Sequence, residues 1–366
     1  MTAGRRPKSV TTPLLAVAVA LVGLVAPGAI ASVPGSGLIW PLVEFAVLVA
    51  AVFAAIHHAD VVAHRTGEPY GTLVLTLAVT IIEVALIVSI MLAGEESPML
   101  ARDTVLAVVM VVCNGIVGIC IILGGLRYGE QGFRLPGASS YLVVLMPLAT
   151  LTMILPNYTT SVPGPFYNLS QLIYAAIATL VLYGVFLYVQ TVRHRDYFLS
   201  DSGVSTPDEN AHVPGNREVL ASVVLLILAL VGVVLLAKNF ANSVKLAVNL
   251  IGAPIGAVGL LVALLVLMPE GIAAVRAAKN NELQKSLNLA LGSSLATIGL
   301  TIPAVCAVSI VLKQPLGLGL DNRDMVVLLL TFAVSLVTYG GGRTNILPGV
   351  VHLVLFATYV FLIFAP

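Results

Sequence analysis

The chain has 366 residues, 59% of them hydrophobic and only 10% charged, with a formal net charge of +1 and a mean hydropathy of +1.04. A water-soluble domain carries about a quarter charged residues, so little of this chain can face water. The near-zero net charge excludes the broad basic footprint of a nucleic-acid binder.

Arg5, Arg6 and Lys8 precede an apolar run from Pro13 to Ala31. The run has the outline of a signal peptide, with Ala29-Ile30-Ala31 as its cleavage site, and also the length of a first spanning helix. Many spans follow, so a retained helix over 13–33 is the reading adopted. Ten further segments of spanning length are predicted at 38–57, 70–93, 104–125, 139–155, 167–192, 218–238, 249–275, 286–312, 325–341 and 345–364. The mixed stretch Asn239–Ala253 is an alternative, earlier start for the eighth. Backbone groups in lipid must bond internally, and no segment alternates with period two. The fold class is therefore all-α integral membrane, with about eleven transmembrane helices.

With the N-terminus inside, 13 of the 18 basic residues fall in inner connections; the other five are Arg102, Lys238, Lys245, Lys313 and Arg323. The positive-inside rule then places the N-terminus in the cytoplasm and the C-terminus outside. The longest polar connection, 193–217, leaves five spans after it and, setting the first helix aside, five before it. The division is an N-terminal segment and first helix (1–37), a first five-helix repeat (38–192), a cytoplasmic loop (193–217) and a second repeat (218–366). Two five-helix halves that start on opposite sides of the membrane form an inverted repeat. Pro69-Tyr70-Gly71 opens the third span on its way to Glu83, and Pro254-Ile255-Gly256 resembles it ahead of Glu270.

Among the 17 acidic residues only Glu44, Glu83 and Glu270 fall inside apolar spans. Placing a carboxylate at the bilayer centre costs about 2.5 kcal/mol or more, so each requires an explanation. Glu83 sits near mid-span, with Thr76 and Thr80 on the same helical face. Glu270 follows Pro269 and precedes Gly271, a sequence expected to break the helix and free carbonyl oxygens beside a carboxylate. The plain alternatives are a neutral acid bonding across a helix interface for Glu83, and a pairing with Arg276 for Glu270. Glu44, close to Trp40-Pro41, is expected at the outer interface. His352 is read as a hydrogen-bonded packing histidine. The group His57, His58, Asp60 and His64 is read as a solvated helix end rather than a metal site. Asn114, Ser293, Ser294 and Thr297 supply polar oxygens within spans, and the same small residues also favour close helix packing. Cys113, Cys120 and Cys306 lie in apolar runs without metal-ligand spacing.

The block HADVVAHRTGEPYGTLVLTLAVTIIEVALI resembles the first signature region of the bacterial ChaA-type calcium/proton antiporters, a branch of the cation/proton exchangers within the cation/calcium exchanger superfamily. The stretch PEGIAAVRAAKNNELQKSLNLALGSSLATIGLTIPAV resembles the second. The resemblance implies two inverted five-helix repeats behind an extra first helix. It implies exchange of cytoplasmic Ca2+, and in this branch also Na+ or K+, for protons, in the bacterial inner membrane. Its two essential acids fall on Glu83 and Glu270, and its polar helix partners on Asn114 and the Gly292-Ser293-Ser294 stretch. The wider family places an asparagine three residues before each acid; here those positions are Thr80 and Leu267.

The expected function is thus a secondary antiporter in which protons and a cation compete at Glu83 and Glu270, with Thr80, Asn114, Ser293, Ser294 and Thr297 lining the site. Its expected partners are the lipid bilayer, the transported cations and protons, with no other cofactor and no nucleic acid. Two alternatives stay open: a Na+ or K+/proton antiporter without calcium transport, and a membrane-embedded enzyme, for which the chain lacks the usual hydrolase motifs.

Overall fold

A computed structural model of the protein describes residues 8–25, 36–67, 70–93, 98–199, 215–252, 254 and 256–365. Arg5, Arg6, the Ala29-Ile30-Ala31 sequence, Pro69, Ile255 and the polar residues from Asp201 to His212 of the central connection lie outside these, as do the side chains of Lys238 and Lys245.

Among the described residues, eleven helices follow one another: α1 (Lys8–Val25), α2 (Ser36–Thr66), α3 (Tyr70–Ala93), α4 (Leu100–Tyr128), α5 (Leu135–Tyr158), α6 (Leu169–Arg193), α7 (Asn216–Ile251), α8 (Gly256–Lys279), α9 (Leu283–Leu312), α10 (Asn322–Tyr339) and α11 (Ile346–Phe364). Among the described residues, nine helices are long and apolar enough to cross a membrane, and α1 and α3 add the apolar stretches Thr12–Val22 and Val74–Ser89. The chain is an all-α integral membrane protein. Its apolar residues face outward as well as inward, as lipid contact requires: Val143, Val311 and Val337 are at least 70% exposed.

Two boundaries differ from those expected. α2 continues through His57 and His64 to Thr66, because no breaker intervenes before Gly67, whose φ of +68° ends the helix. The stretch after Lys238 likewise continues α7 to Ile251 instead of opening α8; Gly252 (φ +63°) and Pro254 then separate the two helices. As a result α3 and α8 are each 24 residues long.

The chain divides into two compact units. The first, Met1–Glu96 with Glu209–Gly252, holds α1, α2, α3 and α7, with α7 packed on the other three. The α2–α3 hairpin closes tightly: a Cβ at Gly71 would stand 2.6 Å from the Ala63 carbonyl oxygen, so only glycine fits.

The second unit, Ser97–Asp208 with Ala253–Pro366, holds α4–α6 and α8–α11. Here α4 and α8 lie parallel. Gly259 packs on the backbone of Asp103 and Thr104 at one end and Gly271 on Ile116 midway. At the far end Tyr128 Oη, Arg127 Nη1 and Gln131 Nε2 donate to the Lys279 and Ala278 carbonyls.

The contacts of α4 with α11 recur between α9 and α6, as an inverted repeat predicts. Gly118 of α4 meets Gly349 of α11 at backbone distance, and Gly299 of α9 takes the Tyr183 ring of α6. A two-residue strand after α4, β1 (Gln131–Gly132), pairs antiparallel with β2 (Arg343–Thr344) before α11. Correspondingly, Gly317 after α9 bridges Phe166 before α6. Asn168 and Asn345 cap α6 and α11, one helix of each pair, by accepting from a first-turn amide. π-helical turns interrupt α4 at Val111–Ile116 and α9 at Thr297–Thr301.

Candidate functional site

In the first unit, Glu83 lies thirteen residues after Tyr70, the start of α3. At 1.5 Å per residue that is about 20 Å along a 24-residue helix of about 36 Å, close to its midpoint. Its side chain is 1% exposed and Thr80, on the same face, 8%. The Thr80 hydroxyl donates to the Thr76 carbonyl at 2.9 Å, which leaves its oxygen lone pairs available. Glu44 in α2 is 5% exposed and accepts a hydrogen bond from Trp40 Nε1 at 2.7 Å.

Glu270 lies fourteen residues after Gly256, at nearly the same depth on α8. The expected break does not occur. α8 runs through Pro269 and Gly271 without interruption, with α4 packed against it before this turn at Gly259 and at Gly271 itself. What Pro269 does remove is the backbone donor for the Leu265 carbonyl, one turn earlier. Oε2 of Glu270 is buried and has no hydrogen-bond partner among the described residues, and Arg276 does not pair with it.

Gly271 rests on Ile116, the last residue of the π-helical turn in α4, so the turn bearing Glu270 lies against the turn bearing Asn114. Asn114 is fully buried. Its Nδ2 donates to Thr331 Oγ1 of α10 at 2.8 Å, and its Oδ1 contacts His352 Nδ1 of α11 at 2.9 Å. Both polar ends of the amide are thus engaged inside the second unit.

On α9, Ser294 is fully buried with a hydroxyl that has no described partner, Thr297 is buried in the π-helical turn, and Ser293 is half-buried. Asn114 and the three α9 residues therefore share the second unit with Glu270, while Glu83 and Thr80 belong to the first. The first turns of α9 are covered by the short helix Arg195–Phe198. Phe198 packs edge-on against Tyr141 and Phe186, and its carbonyl accepts from Asn288 Nδ2 at 2.6 Å.

The histidine group of α2 divides: His58 is buried, whereas His64 and Asp60 are exposed and pair at 3.4 Å. No group of three or more metal-ligating side chains occurs among the described residues. The three cysteines are buried and free. Thr331 and Thr338, which complete the Asn114 network, escaped the sequence reading. Their signal was the spacing of Thr331, Ser335 and Thr338, all buried on one face of α10.

The family model described as "Sodium/calcium exchanger protein" matches residues 36–192 and 221–365. The chain is 46% identical over 330 residues to a putative ionic transporter, y4hA, of Sinorhizobium fredii, covering 90% of this chain and 89% of that protein. It is 37% identical to the sodium-potassium/proton antiporter ChaA of Escherichia coli, covering 87% of each. Among solved structures, that of native YfkE superposes with a TM-score of 0.72 at 17% identity, covering 98% of this chain and all of the other. The H+/Ca2+ exchanger CAX superposes with a TM-score of 0.66 at 16% identity, covering 97% and 88%. The chain belongs to the sodium/calcium exchanger family.

Proposed function

We propose that the protein is a cation/proton antiporter that exchanges cytoplasmic Ca2+, and also Na+ or K+, for protons by competition at Glu83 and Glu270. The observation that carries this is the carboxylate of Glu270: one of its oxygens is buried in an apolar span with no donor among the described residues to satisfy it. An ionised carboxylate cannot stay so without cost, so the group either takes a proton or holds a cation. Glu83, buried at the matching position along α3 and preceded by Thr80 on the same helical face, is the second acid in this reading. Each proton arriving displaces cation and each cation displaces protons, so coupling needs no separate proton route. Alternating exposure of the two acids to either side of the bacterial inner membrane, with the N-terminus in the cytoplasm, completes the cycle. The repeats are taken as 38–192 and 218–366, joined by the 193–217 loop.

The second reading, a monovalent-cation/proton antiporter, is favoured by one of the more similar relatives, whose name specifies sodium and potassium. More distant relatives are named as Ca2+/H+ antiporters. Proton-driven flux of Ca2+, Na+ and K+ measured one at a time in proteoliposomes separates the two. Glu83→Gln and Glu270→Gln are each expected to lower exchange at least about a hundredfold. That is the scale of removing a buried charged partner worth roughly 3 kcal/mol. Full exchange by either variant would overturn the assignment.

A further inference from the structure

We infer that His352 is a positioning residue for cation binding: it fixes the amide of Asn114 in the π-helical turn of α4, and through it the α4 surface against which the Glu270 turn packs. The inference rests on the reading of Glu270 as a cation and proton carrier.

The proton assignments follow one from another. The Thr331 hydroxyl donates to the Val327 carbonyl of its own helix at 2.8 Å, so it can only accept from Asn114 Nδ2, also at 2.8 Å. That fixes the amide flip, with the remaining Nδ2 hydrogen toward Met110 Sδ at 3.4 Å and Oδ1 toward His352. Asn114 Oδ1 is an acceptor only, so His352 Nδ1 carries the hydrogen at 2.9 Å. Nε2 of a neutral imidazole then holds a lone pair, which receives the Thr338 hydroxyl at 3.0 Å. Asn114, Thr331 and His352 are all completely buried, so water cannot substitute for any of these partners.

A π-helical turn carries a residue surplus to the regular ladder and is held in place by its surroundings. Here α10 holds one end of the Asn114 amide and α11 the other. One turn before His352, Gly349 presses α11 onto Gly118 of α4. The same α4 turn bears Ile116, on which Gly271 rests, next to Glu270. Releasing the His352 end would let the amide turn and the Ile116 surface shift, loosening the Glu270 carboxylate without removing any charge.

The test uses the full-length protein in proteoliposomes, with KM and Vmax for Ca2+ and for Na+ measured under a fixed pH gradient. His352→Gln retains an acceptor near the place of Nε2 but removes the Nδ1 donor. It is expected to raise KM roughly tenfold with Vmax within about twofold, the size typical of losing an outer-shell partner of a metal site. His352→Asn, whose amide nitrogen falls near the place of Nδ1, should bring KM back to within about threefold of the parent. Asn114→Ala should raise KM by at least as much, and His352→Gln added to Asn114→Ala should change nothing more. If His352→Gln does not yield folded protein, Thr331→Val tests the other end of the amide and should raise KM similarly.

A parental KM in His352→Gln, or an additive effect on top of Asn114→Ala, overturns the inference. Equal impairment by His352→Asn and His352→Gln overturns it as well. A Glu270→Gln variant with full exchange removes the underlying reading instead, so the two failures are distinguishable.

Discussion

α3 and α8 are helices of equal length that carry their acids at nearly equal depth, yet they hold them differently. On α3 the residue three before the acid is Thr80, whose oxygen shares the acid's face. On α8 the equivalent residue is the apolar Leu267, and polarity comes from the missing backbone donor at Pro269. α3 is anchored near its start by the glycine hairpin with α2, where the Ala63 carbonyl leaves no room for a side chain. α8 is anchored along its length on α4, by Gly259, Gly271 and the hydrogen bonds to its last carbonyls. Depth is what a repeat must conserve, because the bilayer imposes it on both halves. The groups flanking each acid answer to different neighbours and have diverged.

If the two acids are halves of one function despite these different settings, removing both charges should cost no more than removing one. The Glu83→Gln/Glu270→Gln double variant is then expected to show the same hundredfold-or-greater loss of proton-driven flux as either single variant. Separate, multiplying losses would show two independent steps and break the equivalence drawn between α3 and α8.

A smaller effect distinguishes the anchors. Gly71→Val drives carbon into a backbone oxygen that cannot yield, and is expected to destabilise by about 1–3 kcal/mol in a detergent thermal melt. Gly271→Ala meets only the end of the Ile116 side chain, at 3.2 Å, and should cost under about 1 kcal/mol. Equal costs would show that the α3 hairpin is less constrained than its geometry indicates.

The smallest effect concerns the C-terminal end of α8. Gln131→Ala removes hydrogen bonds to the Ala278 carbonyl and to Asn281 Oδ1, a loss of about 1 kcal/mol. Amide hydrogen exchange should quicken at the end of α8 and stay unchanged in α3. Quickening in both would mean that the two anchors are not separate.

Much of this was legible before any coordinates. A carboxylate in an apolar run is conspicuous because lipid charges for it, so Glu83, Glu270 and Glu44 could be read off directly. Helix ends were legible for α3, expected at 70–93 and observed at Tyr70–Ala93, and not where α2 and α7 run on through polar text to Gly67 and Gly252. Pro269 does not break its helix: a proline deletes one hydrogen bond, and the remaining ladder of α8, packed on α4, continues through it. Asn114 was legible as a polar residue in a span, and the groups that hold its amide were not.

The sequence alone determined that the chain is a succession of apolar helices, and which acids lie within their apolar runs. Hydropathy acts residue by residue along the chain, so it needs no partner to be read. The tertiary structure decided what each polar group touches. His352 meets Asn114 across 238 positions of sequence, and Thr331 meets it across 217. Hydrogen bonds of that kind depend on which helix faces which, and that is settled by glycines such as Gly118 and Gly349 letting two backbones approach.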